Sequence, residues 1–153
     1  MSRVERIADA AESDAPVLED LQLRSSSVWE EYREQLAAHP DAIELPMDAV
    51  RDGRVRVAYG DSRILGFSVV LTGQDGHCEL DGLFVEPDVM RGGVGRALMA
   101  DVIATARREG AVAIDVTANP RAYGFYEKLG FTYGAPTETR FGPALRMHLA
   151  LKP

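Results

Sequence analysis

Hydrophobic and polar residues follow two different rhythms along this chain, and the changes between them predict its elements. Val4 to Ala8 reads as a short first strand. Asp14 stands where a helix cap belongs, ahead of Val17, Leu18 and Leu21, with Pro16 tolerated in the first turn. Ser27-Val28-Trp29-Glu30 matches a Ser-x-x-Glu capping box; Trp29, Tyr32 and Leu36 then share one helical face until Pro40 stops the helix. Beyond it the period becomes two. Val55, Val57 and Tyr59 alternate with Arg54, Arg56 and Ala58, predicting one buried and one wetter face. Residues 64–72 are apolar almost throughout, as in a central strand, and Cys78 to Val85 follows after the turn Gly73-Gln74-Asp75-Gly76. Short connections make these three strands an antiparallel meander.

In the second half the rhythms interleave. A glycine-rich loop leads into a helix with Val94, Leu98, Val102 and Ala106 on one face, ending near Gly110. Val112, Ile114 and Val116 alternate as a strand. Pro120 opens a further helix with Ala122, Phe125, Tyr126 and Leu129 inward and Gly130 as its stop. Phe131 to Gly134 and Leu145 to Leu151 form a last strand pair. The expectation is a single α/β domain over residues 1–153. Its central sheet is mixed and mostly antiparallel, flanked by helices, with one strand–helix–strand crossover.

Composition narrows the function classes. A formal net charge of −7 argues against nucleic acid, which needs a clustered basic face. No apolar run is long enough for a bilayer, and no apolar signal core follows the N-terminus. One cysteine, Cys78, allows no internal disulfide, so a cytoplasmic setting is expected. His39, His77 and His148 lie far apart and set up no metal-ligand spacing. Cys78 reads as a packing residue and His148 as an outward, solvated one.

The informative segment is Leu83-Phe84-Val85-Glu86-Pro87-Asp88-Val89-Met90-Arg91-Gly92-Gly93-Val94-Gly95-Arg96-Ala97-Leu98, a strand that turns through glycines into a helix. A helix N-terminus offers unpaired amides and a positive dipole end, and glycines let that backbone approach phosphate oxygens closely. A plain strand-to-helix turn with solvated arginines fits the same residues. The nucleotide P-loop requires Lys-Ser or Lys-Thr where Arg96-Ala97 stands, so it is excluded. A dinucleotide fingerprint finds Gly93 and Gly95, and Asp115 for a ribose. It lacks the third glycine, replaced by Leu98, and no further strand–helix units follow.

With Asn119-Pro120-Arg121-Ala122-Tyr123-Gly124-Phe125-Tyr126-Glu127-Lys128-Leu129-Gly130-Phe131 downstream, the chain resembles the GNAT superfamily of N-acetyltransferases over nearly its whole length. Met90 departs from the Gln or Arg that opens the family's phosphate loop, leaving the backbone amides untouched. The resemblance implies an acetyl-CoA co-substrate, with no metal. Leu83, Phe84 and Val85 would pair with pantetheine, and Arg91, Gly92, Gly93, Val94, Gly95, Arg96 and Ala97 would cradle pyrophosphate. Asn119 would touch the pantetheine amides or cap its own helix. Gly82 would mark a bulge or lie beneath a packed side chain.

Chemistry on a thioester needs a neutral amine, an oxyanion cradle and a proton for the leaving thiolate. Glu79, Asp81, Leu83 and Val85 share a strand face. Glu79 is thus the candidate base, with Asp81 in reserve and a solvated carboxylate as the plain reading. The resemblance makes Tyr126 the proton donor, while its helical spacing fits a core ring equally. The Val85 amide would meet the oxyanion. Trp29, Tyr32, Asp81 and Phe141 are candidate contacts for a small-molecule or peptide amine. A homodimer is compatible with this reading. The alternative is a domain that binds acyl-CoA without turnover.

Overall fold

A computed structural model describes residues 4–28, 30–39, 43–139 and 142–152, without the side chains of residues 30–32 and 35. Seven strands form one sheet in the order β1-β2-β3-β4-β5-β7-β6. They are β1 (Arg6–Asp9), β2 (Val55–Gly60), β3 (Arg63–Thr72), β4 (His77–Val85), β5 (Ala113–Ala118), β6 (Thr132–Thr139) and β7 (Gly142–Ala150). The helices are α1 (Ala15–Ser26), α2 (Glu30–Ala38), α3 (Met47–Arg51), α4 (Val94–Arg108) and α5 (Tyr123–Lys128). β4 and β5 run parallel across the α4 crossover, while β1–β2, β2–β3, β5–β7 and β6–β7 are antiparallel. No described helix is long and apolar enough to cross a membrane.

The chain divides into two compact units, Met1–Val70 with Gly82–Val102, and Leu71–Asp81 with Ile103–Pro153. In the first, α1 buries Leu18 and Leu21 completely, and each such side chain contributes about 1.5–3 kcal/mol. Val17 stays exposed, so the inward stripe is narrower than the sequence suggested. Asp14 precedes the helix without capping it, because its carboxylate accepts from the Ala11 N–H at 2.8 Å. Ser27 closes α1 instead of opening α2: its N–H donates to the Leu23 carbonyl at 2.9 Å. α3 was not foreseen, since five residues are too few to display a helical period.

The alternation along β2 fails at its end. Ala58 pairs with Gly66 and Tyr59 with Ile64, which leaves Leu65 as an extra residue bulged from β3. Ala58 shares the face of Arg56, which reaches Asp101 of α4, and α4 covers that face, so Ala58 is fully buried and Tyr59 only partly. Ala58 and Leu65 pack with Val89, Val94 and Leu98, while Leu83 and Val85 lie against that cluster. Gly66 allows this approach, because a Cβ there would stand 2.6 Å from the Phe84 carbonyl oxygen. Gly82 meets the second of its two expectations: its Cβ would fall 2.6 Å from the Phe84 ring, which lies tilted against Phe67.

In the second unit β5 is buried on both faces, as a strand between two neighbours often is. Val112, expected on its inner stripe, lies outside the strand and is 54% exposed. β6 and β7 are longer than anticipated and carry a register shift between Tyr133 and Pro136.

Candidate active site

In the first unit, the end of β4 feeds a short turn and then α4. The turn is braced by two bidentate ion pairs, Arg24 on Glu86 (3.0 and 2.6 Å) and Arg63 on Asp88 (3.2 and 2.8 Å). Gly93 carries the chain into α4 with φ of +84°, a conformation other residues adopt only under strain. The Gly92 N–H is spent on the Val89 carbonyl and that of Ala97 on Gly93, so these two expected phosphate donors are committed. The amides of Gly93, Val94, Gly95 and Arg96 have no acceptor among the described residues. Four unspent donors at the positive end of a 15-residue helix fit a diphosphate. Arg91 and Arg96 flank them, exposed. Leu83, Phe84 and Val85 are partly buried at the end of β4.

This unit also holds an open groove of about 610 Å³ along α1 and α2, with Glu19, Asp20, Leu23, Leu36 and Glu44 in its walls. Acceptor contacts were expected on these helices. Trp29 and Phe141 lie outside the described residues, as does the side chain of Tyr32.

In the second unit, one face of β4, β5 and β7 carries a network that the sequence reading missed. Glu79 stands opposite Asp115 in the ladder, Asp115 opposite His148, and Thr117 opposite Arg146. Arg146 grips both oxygens of Glu79 at 2.7 and 2.9 Å, hydrogen-bonds Thr117 Oγ1 at 2.9 Å, and comes within 4.0 Å of Asp115. The hydrogen bonds that Arg146 donates to Glu79, and the Glu79 charge, raise the Arg146 pKa above the usual arginine value despite desolvation. His77 Nδ1 meets Asp115 Oδ2 at 2.7 Å and His148 Nδ1 meets the other oxygen. Burial pushes the Asp115 carboxyl up, but the bonds to His148 and His77 outweigh it and hold it below the ordinary range. His148, expected to be solvated, is 44% exposed at its side chain and is also a partner of Asp115. Both Asp115 oxygens are thus engaged by histidines and do not stand open for a ribose, which counts against the dinucleotide reading. Gly134 makes room for the network: a Cβ there would lie 2.6 Å from His148 Nε2.

The two candidate bases differ. Glu79 is fully paired, whereas Asp81, two residues on, has no described hydrogen-bond or ion-pair partner. Its carboxyl is raised, first by desolvation and then by the negative charge of Glu79, although its strand position is an exposed one. A raised carboxyl accepts protons more readily. Tyr126 is 7% exposed, with its ring against Phe125 and Phe131. Desolvation pushes its hydroxyl well above the usual tyrosine value, so it stays protonated, and no described residue takes its hydrogen. The Asn119 side chain accepts from the Arg121 N–H at 2.9 Å as a cap, which leaves its NH₂ group uncommitted to that bond. Cys78 is buried and in no disulfide.

The Glu79–Arg146 pair escaped the sequence reading because it joins residues 67 apart in the chain. One signal was present: Arg146 and His148 occupy the positions between Leu145, Met147 and Leu149, so they project together on the face opposite the leucines.

Residues 17–131 match the model of the acetyltransferase (GNAT) family. Over 91 residues, 58% of the chain, it is 34% identical to an uncharacterized N-acetyltransferase of Mycobacterium bovis. The chain spans 58% of the length of that curated relative. Among solved structures it resembles the PaiA N-acetyltransferase of Thermoplasma acidophilum in complex with coenzyme A. The TM-score is 0.78 at 18% identity, covering 95% of this chain and 98% of that one. A GCN5-related N-acetyltransferase of Rhodopseudomonas palustris gives 0.81 at 22% identity, covering 99% and 98%. These two likenesses are likenesses of fold, and they agree with the sheet order and the α4 crossover. With its glycine turn and unspent helix amides inside the matched segment, the chain belongs to the GNAT acetyltransferase family.

Proposed function

We propose that the chain is an acetyl-CoA-dependent N-acetyltransferase that moves the acetyl group to a primary amine while donor and acceptor are bound together. The observation that carries this reading is the set of four amides, Gly93 to Arg96, left unspent where Gly93 turns into α4. The GNAT relative from Thermoplasma supports it, having been solved with coenzyme A. In this reading those amides hold the pyrophosphate, with Arg91 and Arg96 adding charge. Leu83 to Val85 offer the pantetheine a strand edge, and the Asn119 NH₂ group binds its amides.

Asp81 takes a proton from the acceptor ammonium, helped by the neighbouring charge of Glu79; Glu79 takes that role where Arg146 releases it. The Val85 N–H donates to the developing oxyanion, and Tyr126 protonates the thiolate as the carbon–sulfur bond breaks. The atoms balance: one N–C bond forms and one C–S bond breaks, while nitrogen loses two protons between ammonium and amide, one passing through Asp81 to water and the other, lost after attack, making up for the one that Tyr126 gives to sulfur.

A second reading has one observation in its favour. Both oxygens of Glu79 are occupied by Arg146, as suits a domain that binds acyl-CoA without turning it over. Release of free thiol from acetyl-CoA, followed over a broad panel of amines, separates the two. Turnover supports the enzyme, and tight acetyl-CoA binding with none across the panel supports the sensor.

A further inference from the structure

Arg146 is held as a ligand group would be held. Its guanidinium is fixed by Thr117 Oγ1 at 2.9 Å and by the nearby Asp115 carboxylate, itself clasped by His77 and His148. The one partner that could leave without displacing it is Glu79, on the adjoining strand. The Arg146 and Glu79 side chains are 31% and 29% exposed, so a solute can reach both. Beside them Asp81 presents a carboxylate with no described partner, roughly 6.6 Å along the same strand face. One fixed guanidinium next to two carboxylates is the complement of a zwitterion.

From this arrangement we infer that Arg146 is the acceptor's carboxylate anchor, and that the acceptor is an amine bearing a carboxylate close to its amino group, as an α-amino acid does. The inference rests on the acetyltransferase reading above and names the substrate class of that same site. The acceptor carboxylate replaces Glu79 on the guanidinium fork, one bidentate pair for another, so the exchange costs little. Glu79 is thereby released beside Asp81, where the two like charges raise proton affinity, and the pair draws the proton from the acceptor ammonium. Recognition of the carboxylate and unmasking of the base become one event. An amine without the carboxylate leaves Glu79 locked.

The experiment compares matched acceptors: the proteinogenic α-amino acids, their carboxamides and their decarboxylated amines, each followed by free-thiol release from acetyl-CoA. Wild type should favour the acids over the neutral counterparts by about tenfold or more in kcat/KM, the worth of a charge-assisted bond. Arg146→Gln should bring that ratio close to one, chiefly by raising KM for the acids, while the neutral amines gain from a freed Glu79. A merely structural Arg146 would lower both series together and leave the ratio unchanged. Arg146→Lys, which keeps the charge but loses the fork, guards against a misfolded Gln variant and should fall between the two. Acetyl-CoA binding by each variant, read from its melting temperature, confirms that the first unit is intact. Equal or better turnover of the neutral amines by wild type overturns the inference and spares the acetyltransferase reading. So does turnover confined to the neutral amines, whereas acetyl-CoA binding with no turnover of any amine removes the acetyltransferase reading as well. Failure of acetyl-CoA to bind removes that reading, and this inference with it.

Discussion

At the scale of single residues, two side chains should separate packing from chemistry. The Tyr126 ring packs on Phe125 and Phe131, but no described residue takes its hydroxyl hydrogen. Tyr126→Phe should therefore leave the melting temperature unchanged or slightly higher, since no bond is lost. If the hydroxyl protonates the thiolate, turnover falls by about tenfold to a thousandfold and acetyl-CoA affinity stays constant. Full turnover would leave Tyr126 as a packing ring. Asp81 is tested by pH. Its carboxyl is raised in the fold by desolvation and by Glu79, so the folded state disfavours its charge. The contribution of Asp81 to stability is then complete below the ordinary aspartate value and is lost as pH rises through the raised one. Asp81→Asn should melt higher than wild type near neutral pH, with the gap closing on acidification. As base, the same variant should lose about 10²-fold in turnover at neutral pH, and the acidic limb of the kcat/KM profile should vanish. A melting difference that is flat with pH would contradict the raised carboxyl.

Among the elements, α4 is where local geometry and ligand chemistry part company. Gly93 has φ of +84°, whereas Gly95 lies inside the first helical turn. A side chain at Gly93 would strain the backbone by about 1–2 kcal/mol as well as fill the phosphate's space. Gly93→Val should thus both lower the melting temperature and weaken acetyl-CoA binding. Gly95→Ala should hold or raise stability, because alanine is the better helix former, yet still bind acetyl-CoA about tenfold or more weakly. Calorimetric titration beside thermal melts reads both quantities. Unchanged affinity in Gly95→Ala would move the phosphate site away from this turn. Substituting Met90, whose side chain is 37% exposed and which lies outside the four unspent amides, should matter far less.

For the whole molecule the test is linkage. Acetyl-CoA at a hundredfold its dissociation constant should add roughly 2.7 kcal/mol of stability, and desulfo-CoA nearly as much, because phosphate and pantetheine supply most of the contacts. Hydrogen exchange should show new protection at Gly93 to Arg96, the amides that begin without acceptors. NAD should do neither, since Asp115 is already engaged by two histidines. Protection elsewhere with none at these four residues would overturn the assignment. The net charge of −7 gives no separate handle on the acceptor. What bears on it is how that charge is paired, and Arg146 next to Glu79 is visible only after the strands have met.

The sequence by itself determined the elements whose signals are local. The periodic helix α4, the turn over Gly73 to Gly76, the apolar β3 and the glycine turn before Val94 follow from spacing and backbone chemistry within a dozen residues. Family likeness was legible for the same reason, since its two motifs are contiguous. The tertiary structure decided what depends on partners brought from a distance. It moved Leu65 out of register, buried β5 on both faces and left Val112 outside. It also changed the candidate chemistry. Glu79 and Arg146 look like independent solvated charges along the chain, and the register of β4, β5 and β7 closes them into a pair that leaves Asp81 with the raised carboxyl. A strand's own alternation tells which face a residue takes, but the residue opposite is chosen by the ladder.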